Sequence, residues 1–277
     1  MTTQVVLLGT GTPNAEPDRH GSGLAVVVND VPYLVDFGPG VIRRAAAAHQ
    51  QKGIVGLALP NLKTAFLTHL HSDHTAGYAD LILTPWVLGR DSPLHVYGPP
   101  SLQPMTDDIL SAYSADIHER IYGMEHANEQ GYQVVAHEIQ PGKCYEDDLI
   151  AVEAFAVDHG TWPAYGFKFT TPDKTIVVSG DTHPIESVEQ AAIGCDILIH
   201  EVYSVVGLTQ RPPEWQAYHR AMHTSTHELA TIANRTQPGL LVLVHQLLWG
   251  VSEDDLLAEI REHYAGPVVY GRDLDVF

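Results

Sequence analysis

Four residues able to ligate a metal fall within six positions, His69-Leu70-His71-Ser72-Asp73-His74, directly after the apolar run Leu62 to Thr68. On an extended backbone His69 and His71 leave on the same side, because side chains alternate along a strand. Asp73 and His74 follow in the turn, where the chain can curl and present them to a neighbouring point. Two such ligand pairs side by side suit two metal ions better than one. A His-rich loop of purely compositional origin has no reason to keep this spacing. The fold must therefore end a strand at a rigid mouth that collects these side chains.

Other candidate ligands close apolar runs in the same way. Asp158-His159-Gly160 ends the run Ala151 to Val157, Ser179-Gly180-Asp181-Thr182 ends Thr175 to Val178, and His245-Gln246 ends Leu240 to Val244. Strand ends leading into loops are the usual place for catalytic groups on a rigid scaffold. Further apolar runs recur at Val5 to Leu8, Leu24 to Val28, Pro32 to Val35, Leu94 to Tyr97, Gly166 to Thr170, Ile197 to His200 and Val268 to Tyr270. Helical stretches alternate with them, among them Val41 to Gln51, Ala76 to Leu88, Pro104 to Tyr113, Ile185 to Ala191, Thr226 to Asn234 and Glu253 to His263. That alternation predicts an α/β fold with helices covering sheets. Ligands spread from His69 to His245 must converge, so a single domain over residues 1–277 is expected.

Composition narrows the partners. Against 34 acidic residues stand 15 Lys and Arg, a net charge of −19. A protein that grips an RNA backbone normally carries a basic surface, so extended nucleic acid is not expected as a partner, and a small-molecule ester is. No stretch is long and apolar enough for a membrane span, and the first residues lack the pattern of a signal peptide, which predicts a cytoplasmic protein with no membrane partner. The two cysteines, Cys144 and Cys195, have no metal-ligand spacing and read as unpaired thiols. Gly9-Thr10-Gly11-Thr12-Pro13 lacks the lysine and third glycine of nucleotide-binding loops, so no nucleotide site is expected there.

The hexad resembles the His-x-His-x-Asp-His signature of the metallo-β-lactamase superfamily, and the later ligand segments follow in that superfamily's order. The likeness runs from Gly9-Thr10-Gly11-Thr12 to Gly271-Arg272-Asp273-Leu274-Asp275. It is nearest the ribonuclease Z-like branch, through Asp158-His159-Gly160 with Tyr165-Gly166-Phe167, His200-Glu201 and His223-Thr224-Ser225-Thr226. Within that branch the phrasing looks most like the zinc-dependent arylsulfatase subgroup, as in His71-Ser72-Asp73-His74-Thr75-Ala76-Gly77-Tyr78 and His245-Gln246-Leu247-Leu248-Trp249-Gly250.

The resemblance implies a four-layer αββα sandwich and a site for two zinc ions, with manganese or iron also compatible. His69, His71 and His159 would hold one ion, Asp73, His74 and His245 the other, and Asp181 would bridge them. It further implies hydrolysis of a small ester, an aryl sulfate by subgroup likeness, through attack of a metal-bridging hydroxide. Asp73 would be required for turnover, and His223 with Glu201 would assist departure of the leaving group. A phosphodiesterase or lactonase on the same site is the alternative, and a non-catalytic metal-binding protein is the non-enzymatic one. A tRNA 3′-processing endoribonuclease ranks lower, because the 22 positions between His159 and Asp181 are too few for a tRNA-binding arm. A homodimer is expected by family analogy only.

A second tier surrounds these residues. Asp36 reads either as an orienting partner of a ligating histidine or as a turn-starting aspartate. Ser225 with Glu228 reads as a capping box, so a helix starts near Thr226 and His223 lies in the loop before it. His219 and His227 then read as packing or surface residues, and His183 is close enough to Asp181 to line the pocket. Trp162, Tyr203, Trp215 and Trp249 flank ligand segments as core or pocket wall, and Arg211 is either an anion clamp or a solvated loop residue.

Overall fold

The computed structural model describes residues 2–277. The chain divides into two compact units, one of residues 15–139 with both chain ends, the other of residues 10–14 and 140–272.

The first unit holds a six-stranded mixed sheet in sequential order. Its strands are β1 (Thr3–Gly9), β2 (Gly23–Val28), β3 (Val31–Val35), β4 (Thr64–Phe66), β5 (Leu94–Gly98) and β6 (Val134–Glu138). β1 to β3 pair antiparallel, and β3 to β6 pair parallel. β2 is buried along its whole length, as its unbroken run of apolar residues demands. The unit's helices are α1 (Val41–Lys52), α2 (Ser72–Thr75), α3 (Tyr78–Val87), α4 (Leu102–Ala112) and α5 (Ser114–Tyr122). α1 lays Val41, Ile42, Ala45 and Ala48 into a core shared with Val6, Leu8, Ala25 and Leu34. Arg90 is wholly buried, yet its guanidinium donates to the carbonyls of Leu62, Leu81, Ile82 and Gly131.

The second unit holds a seven-stranded mixed sheet in the order β13-β12-β11-β10-β9-β8-β7. The strands are β7 (Gly142–Glu146), β8 (Ala151–Val157), β9 (Ala164–Thr170), β10 (Thr175–Val178), β11 (Ile197–Tyr203), β12 (Leu240–Leu247) and β13 (Val268–Tyr270). β10 to β13 run parallel and β7 to β10 antiparallel. Its helices are α6 (Glu186–Ala192), α7 (Val205–Leu208), α8 (Pro213–Met222), α9 (Thr226–Thr236) and α10 (Glu253–His263). Leu229, Ala230 and Ala233 of α9 and Leu256 and Ile260 of α10 share a core with Leu198, Val202, Leu241 and Leu243 of the sheet. α9 starts at the capping box expected from Ser225 and Glu228, and α10 starts at a second one, Ser252 with Asp255. Buried Glu259 fastens α10 to its neighbours by accepting from Ser204 Oγ, Val205 N and Thr226 Oγ1.

The predicted α/β class holds, with two mixed sheets and helices packed on each. α5, α8 and the strands β6 and β7 were not foreseen, because their exposed faces break the apolar periodicity. No helix of the described residues is long and apolar enough to cross a membrane.

Candidate metal centre

In the first unit the hexad leaves β4 and turns at once into α2. His71 caps this short helix with an extended backbone, its carbonyl accepting from Thr75 Oγ1 at 2.9 Å. The turn lifts Asp73 and His74 to a buried position beside His69. His69 Nε2 and His71 Nδ1 converge to 2.9 Å, and the His69 and His74 rings lie 4.2 Å apart. The backbone beneath is close-packed: a Cβ on Gly38 would stand 2.1 Å from the carbonyl oxygen of Asp73. Only glycine lets the chain approach so near.

The imidazoles are held by their outer nitrogens. His74 Nδ1 donates to Asp36 Oδ2 at 2.7 Å, which leaves Nε2 facing Asp73 Oδ2 at 3.5 Å. His69 Nδ1 meets Thr68 Oγ1 at 3.0 Å. Asp36 also accepts from Thr68 N at 2.8 Å, so one buried carboxylate fixes both the histidine and the turn before it. A ring whose far nitrogen is held this way offers a lone pair at the other, the state a metal ligand needs.

The second unit brings together His159, Asp181, Glu201, His223 and His245, all buried. His159 follows β8 and donates from Nδ1 to Met222 O at 2.8 Å, turning Nε2 toward Asp181 Oδ2 at 3.8 Å. His245 Nε2 lies 3.4 Å from the same oxygen. Its position depends on a β-bulge: Val244 pairs with Glu201 and Gln246 with Val202, which leaves His245 out of register at φ 45°. Bulges commonly re-aim one side chain in this manner. His159, Asp181 and His223 offer ligand atoms all within 4.8 Å of one another, as do Glu201, His223 and His245. Burial lowers the His159 pKa, keeping the ring neutral and able to coordinate.

Glu201 ties together the backbone and the His223 ring around these residues. Its Oε1 accepts from Thr182 N, Thr224 N and His223 Nδ1 at 3.2, 3.1 and 3.2 Å. Oε2 is buried with no hydrogen-bond partner. Burial first, and the Asp181 charge next, push this carboxyl well above the usual range. Thr182 and Thr224 sit inside quoted segments but were given no role there, and the Met222 carbonyl lies in none; only their hydrogen bonds reveal what they do. His200, next to Glu201 on β11, projects to the other face, and burial lowers its pKa to about 4.

Other second-tier residues fall elsewhere. His183 bonds Asp158 Oδ2 at 3.0 Å. Tyr203 packs in a small core with Leu208, Leu247 and Trp249. Trp215 is exposed on α8, and His219 of the same helix is buried. An exposed group, His227, Glu262 and His263, also brings ligand atoms within 4.8 Å of one another.

The donor chemistry of both units fits divalent cations: mostly buried imidazoles and carboxylates, no thiolate, and Nδ1 already engaged in His69, His74 and His159.

A profile of the β-lactamase superfamily domain matches residues 32–246. A ribonuclease Z of Mycobacterium bovis is 33% identical over 278 residues, covering 98% of this chain and 96% of the relative. A ribonuclease Z of Mycobacterium marinum matches at the same identity and coverage. Among solved structures, the metallo-β-lactamase fold protein YhfI of Bacillus subtilis superposes with a TM-score of 0.76 at 19% identity, covering 99% of this chain and 98% of that one. The human short-form tRNase Z gives 0.72 at 22% identity with the same coverage. The fold is thus the metallo-β-lactamase fold, as the resemblance implied.

These relatives correct the expected partners. The exclusion of extended nucleic acid in favour of a small-molecule ester is overturned by ribonucleases at a third identity over nearly the whole chain. Net charge failed as a guide because it sums the whole surface and says little about the field at one site. The short gap after His159 failed too: the alignment covers 96% of the relative, which leaves no room for a large arm there that this chain lacks. The aryl sulfate reading gains no support from relatives with ribonuclease names.

Proposed function

The chain belongs to the metallo-β-lactamase superfamily, in its ribonuclease Z-like branch, and from that premise we propose that this metal-dependent hydrolase cuts a phosphodiester bond of RNA, at the 3′ end of precursor tRNA. The observation that carries the reading is the 33% identity to ribonuclease Z across 98% of the chain. His69, His71, Asp73, His74, His159, Asp181 and His245 are the proposed holders of two zinc ions.

Bound zinc would supply Lewis acidity at a phosphoryl oxygen and bring the pKa of a water near neutrality. The chain's own groups do the rest. Asp36 and the Met222 carbonyl orient the coordinating rings of His74 and His159. Glu201 Oε1 holds His223 Nδ1–H, which aims Nε2 away from the carboxyl. In that position Nε2 is the proposed proton donor to the departing ribose oxygen.

The test is cleavage by the zinc-loaded protein of a precursor tRNA with a 3′ trailer, beside bis(p-nitrophenyl) phosphate and an aryl sulfate, with Asp73→Ala as control. Trailer release at the 3′ end, absent from Asp73→Ala, supports the reading. His223→Ala is expected to lower kcat about a hundredfold while keeping its metal. Sulfate turnover without RNA cleavage overturns it.

A further inference from the structure

α8 turns two large aromatic rings outward. Trp215 is 46% and Tyr218 41% exposed, and at i and i+3 they share one face of the helix. Their rings meet edge to face with centroids 5.7 Å apart. A contiguous aromatic surface left in water marks an interaction site more often than a solitary exposed ring does.

The same helix carries this surface inward to the candidate centre. His219 stacks beneath Trp215 at 6.0 Å and 29°, and lies 5.6 Å from His223. His223 stacks in turn on His245 at 5.7 Å and 19°. A continuous row of rings therefore leads from solvent to the imidazoles proposed as ligand and proton donor. Trp249 flanks it, 4.5 Å from His219.

A cation completes the surface. The Arg211 guanidinium lies over the Trp215 ring at 5.9 Å, and its buried Nε has no hydrogen-bond partner. Arg220 stands at the other end of the helix, so residues 211–222 carry two arginines against Glu214 in a chain of net charge −19. A stacking face with an arginine beside it matches the two halves of a nucleotide, base and phosphate.

We infer that Trp215 and Tyr218 form a stacking platform for an unpaired nucleobase of the RNA, with Arg211 engaging an adjoining phosphate. The inference rests on the ribonuclease reading above and adds where the flanking nucleotide sits. Stacking needs no broad basic surface, which explains how so acidic a chain accepts RNA.

The experiment compares Trp215→Ala with the wild type, both zinc-loaded, on an RNA hairpin with an unpaired 3′ tail and on bis(p-nitrophenyl) phosphate. The ratio of kcat/KM on RNA to that on the small diester is expected to fall about fivefold to a hundredfold, through a higher KM, with Trp215→Phe recovering most of it. Abasic nucleotides are then placed singly along the tail. One position should reproduce the loss in the wild type and add little in Trp215→Ala. An unchanged ratio, or abasic and protein losses that simply add, overturns the platform and leaves the ribonuclease reading standing. A wild type that hydrolyses the small diester but no RNA overturns both. A Trp215→Ala protein that shifts from dimer to monomer with its ratio unchanged reassigns the face to contact between two copies and overturns the platform.

Discussion

Asp36 adopts a left-handed backbone, φ 59°, which costs a non-glycine residue on the order of 1 kcal/mol. Its buried carboxylate offsets that by accepting from Thr68 N, Thr68 Oγ1 and His74 Nδ1. Of the two readings open in the sequence, turn former and orienting partner, the structure shows one residue doing both, and no spacing rule could reveal that Thr68 is its second client. Asp36→Ala is expected to weaken metal affinity about tenfold to a hundredfold, measured by competition with a chromophoric chelator; unchanged affinity would reduce Asp36 to a turn former. His200 poses a different question at this scale. Wholly buried and neutral, with its pKa lowered to about 4, it resists a proton that the unfolded chain accepts near pH 6.5. The unfolded state therefore binds more protons as pH falls from about 6.5 to about 4, and stability drops across that window by about 3 kcal/mol from this residue. His200→Asn retains a donor toward the Glu201 carbonyl, which His200 Nδ1 meets at 2.6 Å. Urea unfolding at about pH 7 and about pH 5 should show a shallower loss in the variant than in the wild type; equal losses would mean that His200 does not titrate on unfolding.

Helices and strands differ in how openly the sequence announces the groups they position. The start of α9 was readable because its capping box is a four-residue pattern, Ser225 to Glu228, and the side chains do bond as that pattern requires. That placement put His223 in the loop before the helix, which the structure bears out. The bulge that frees His245 from its ladder was not readable, since it depends on how β12 pairs with β11, two strands about forty residues apart. α8 was hidden for another reason: Pro212 and Pro213 and the outward Trp215 and Tyr218 look like a loop, although proline suits a first helical turn. Ser225→Ala removes one cap and loosens the segment that presents His223. A loss of about 1 kcal/mol is expected, seen as a melting point lower by about 2–4 °C, and the same variant should lose kcat on RNA rather than gain KM. A melting point unchanged within error would show that packing against α10 alone fixes the start of α9.

At the scale of the whole molecule, the order of the candidate ligand segments pointed to the right superfamily and the net charge pointed away from the relatives found. Segment order survives because the candidate segments follow strands of sheets whose connections are fixed by the fold. Charge does not, because 34 acids spread over two compact units say nothing about which of them face the substrate. The two terms make opposite claims about salt. Repulsion between a −19 chain and RNA is screened as salt rises, which favours binding. Release of counterions from phosphates met by arginines is opposed by salt, with a slope near −0.7 per contact on single strands. If Arg211 and Arg220 are the main cations at the substrate face, no more than about two contacts are made, and the log–log slope of kcat/KM against salt should be shallower than about −2. Measured from roughly 50 to 200 mM salt at fixed zinc, such a gentle slope marks recognition by stacking and metal coordination. A slope of about −5 or steeper would instead require a basic tract assembled from elsewhere, as between two copies of the chain, and would move the main RNA-binding surface away from α8.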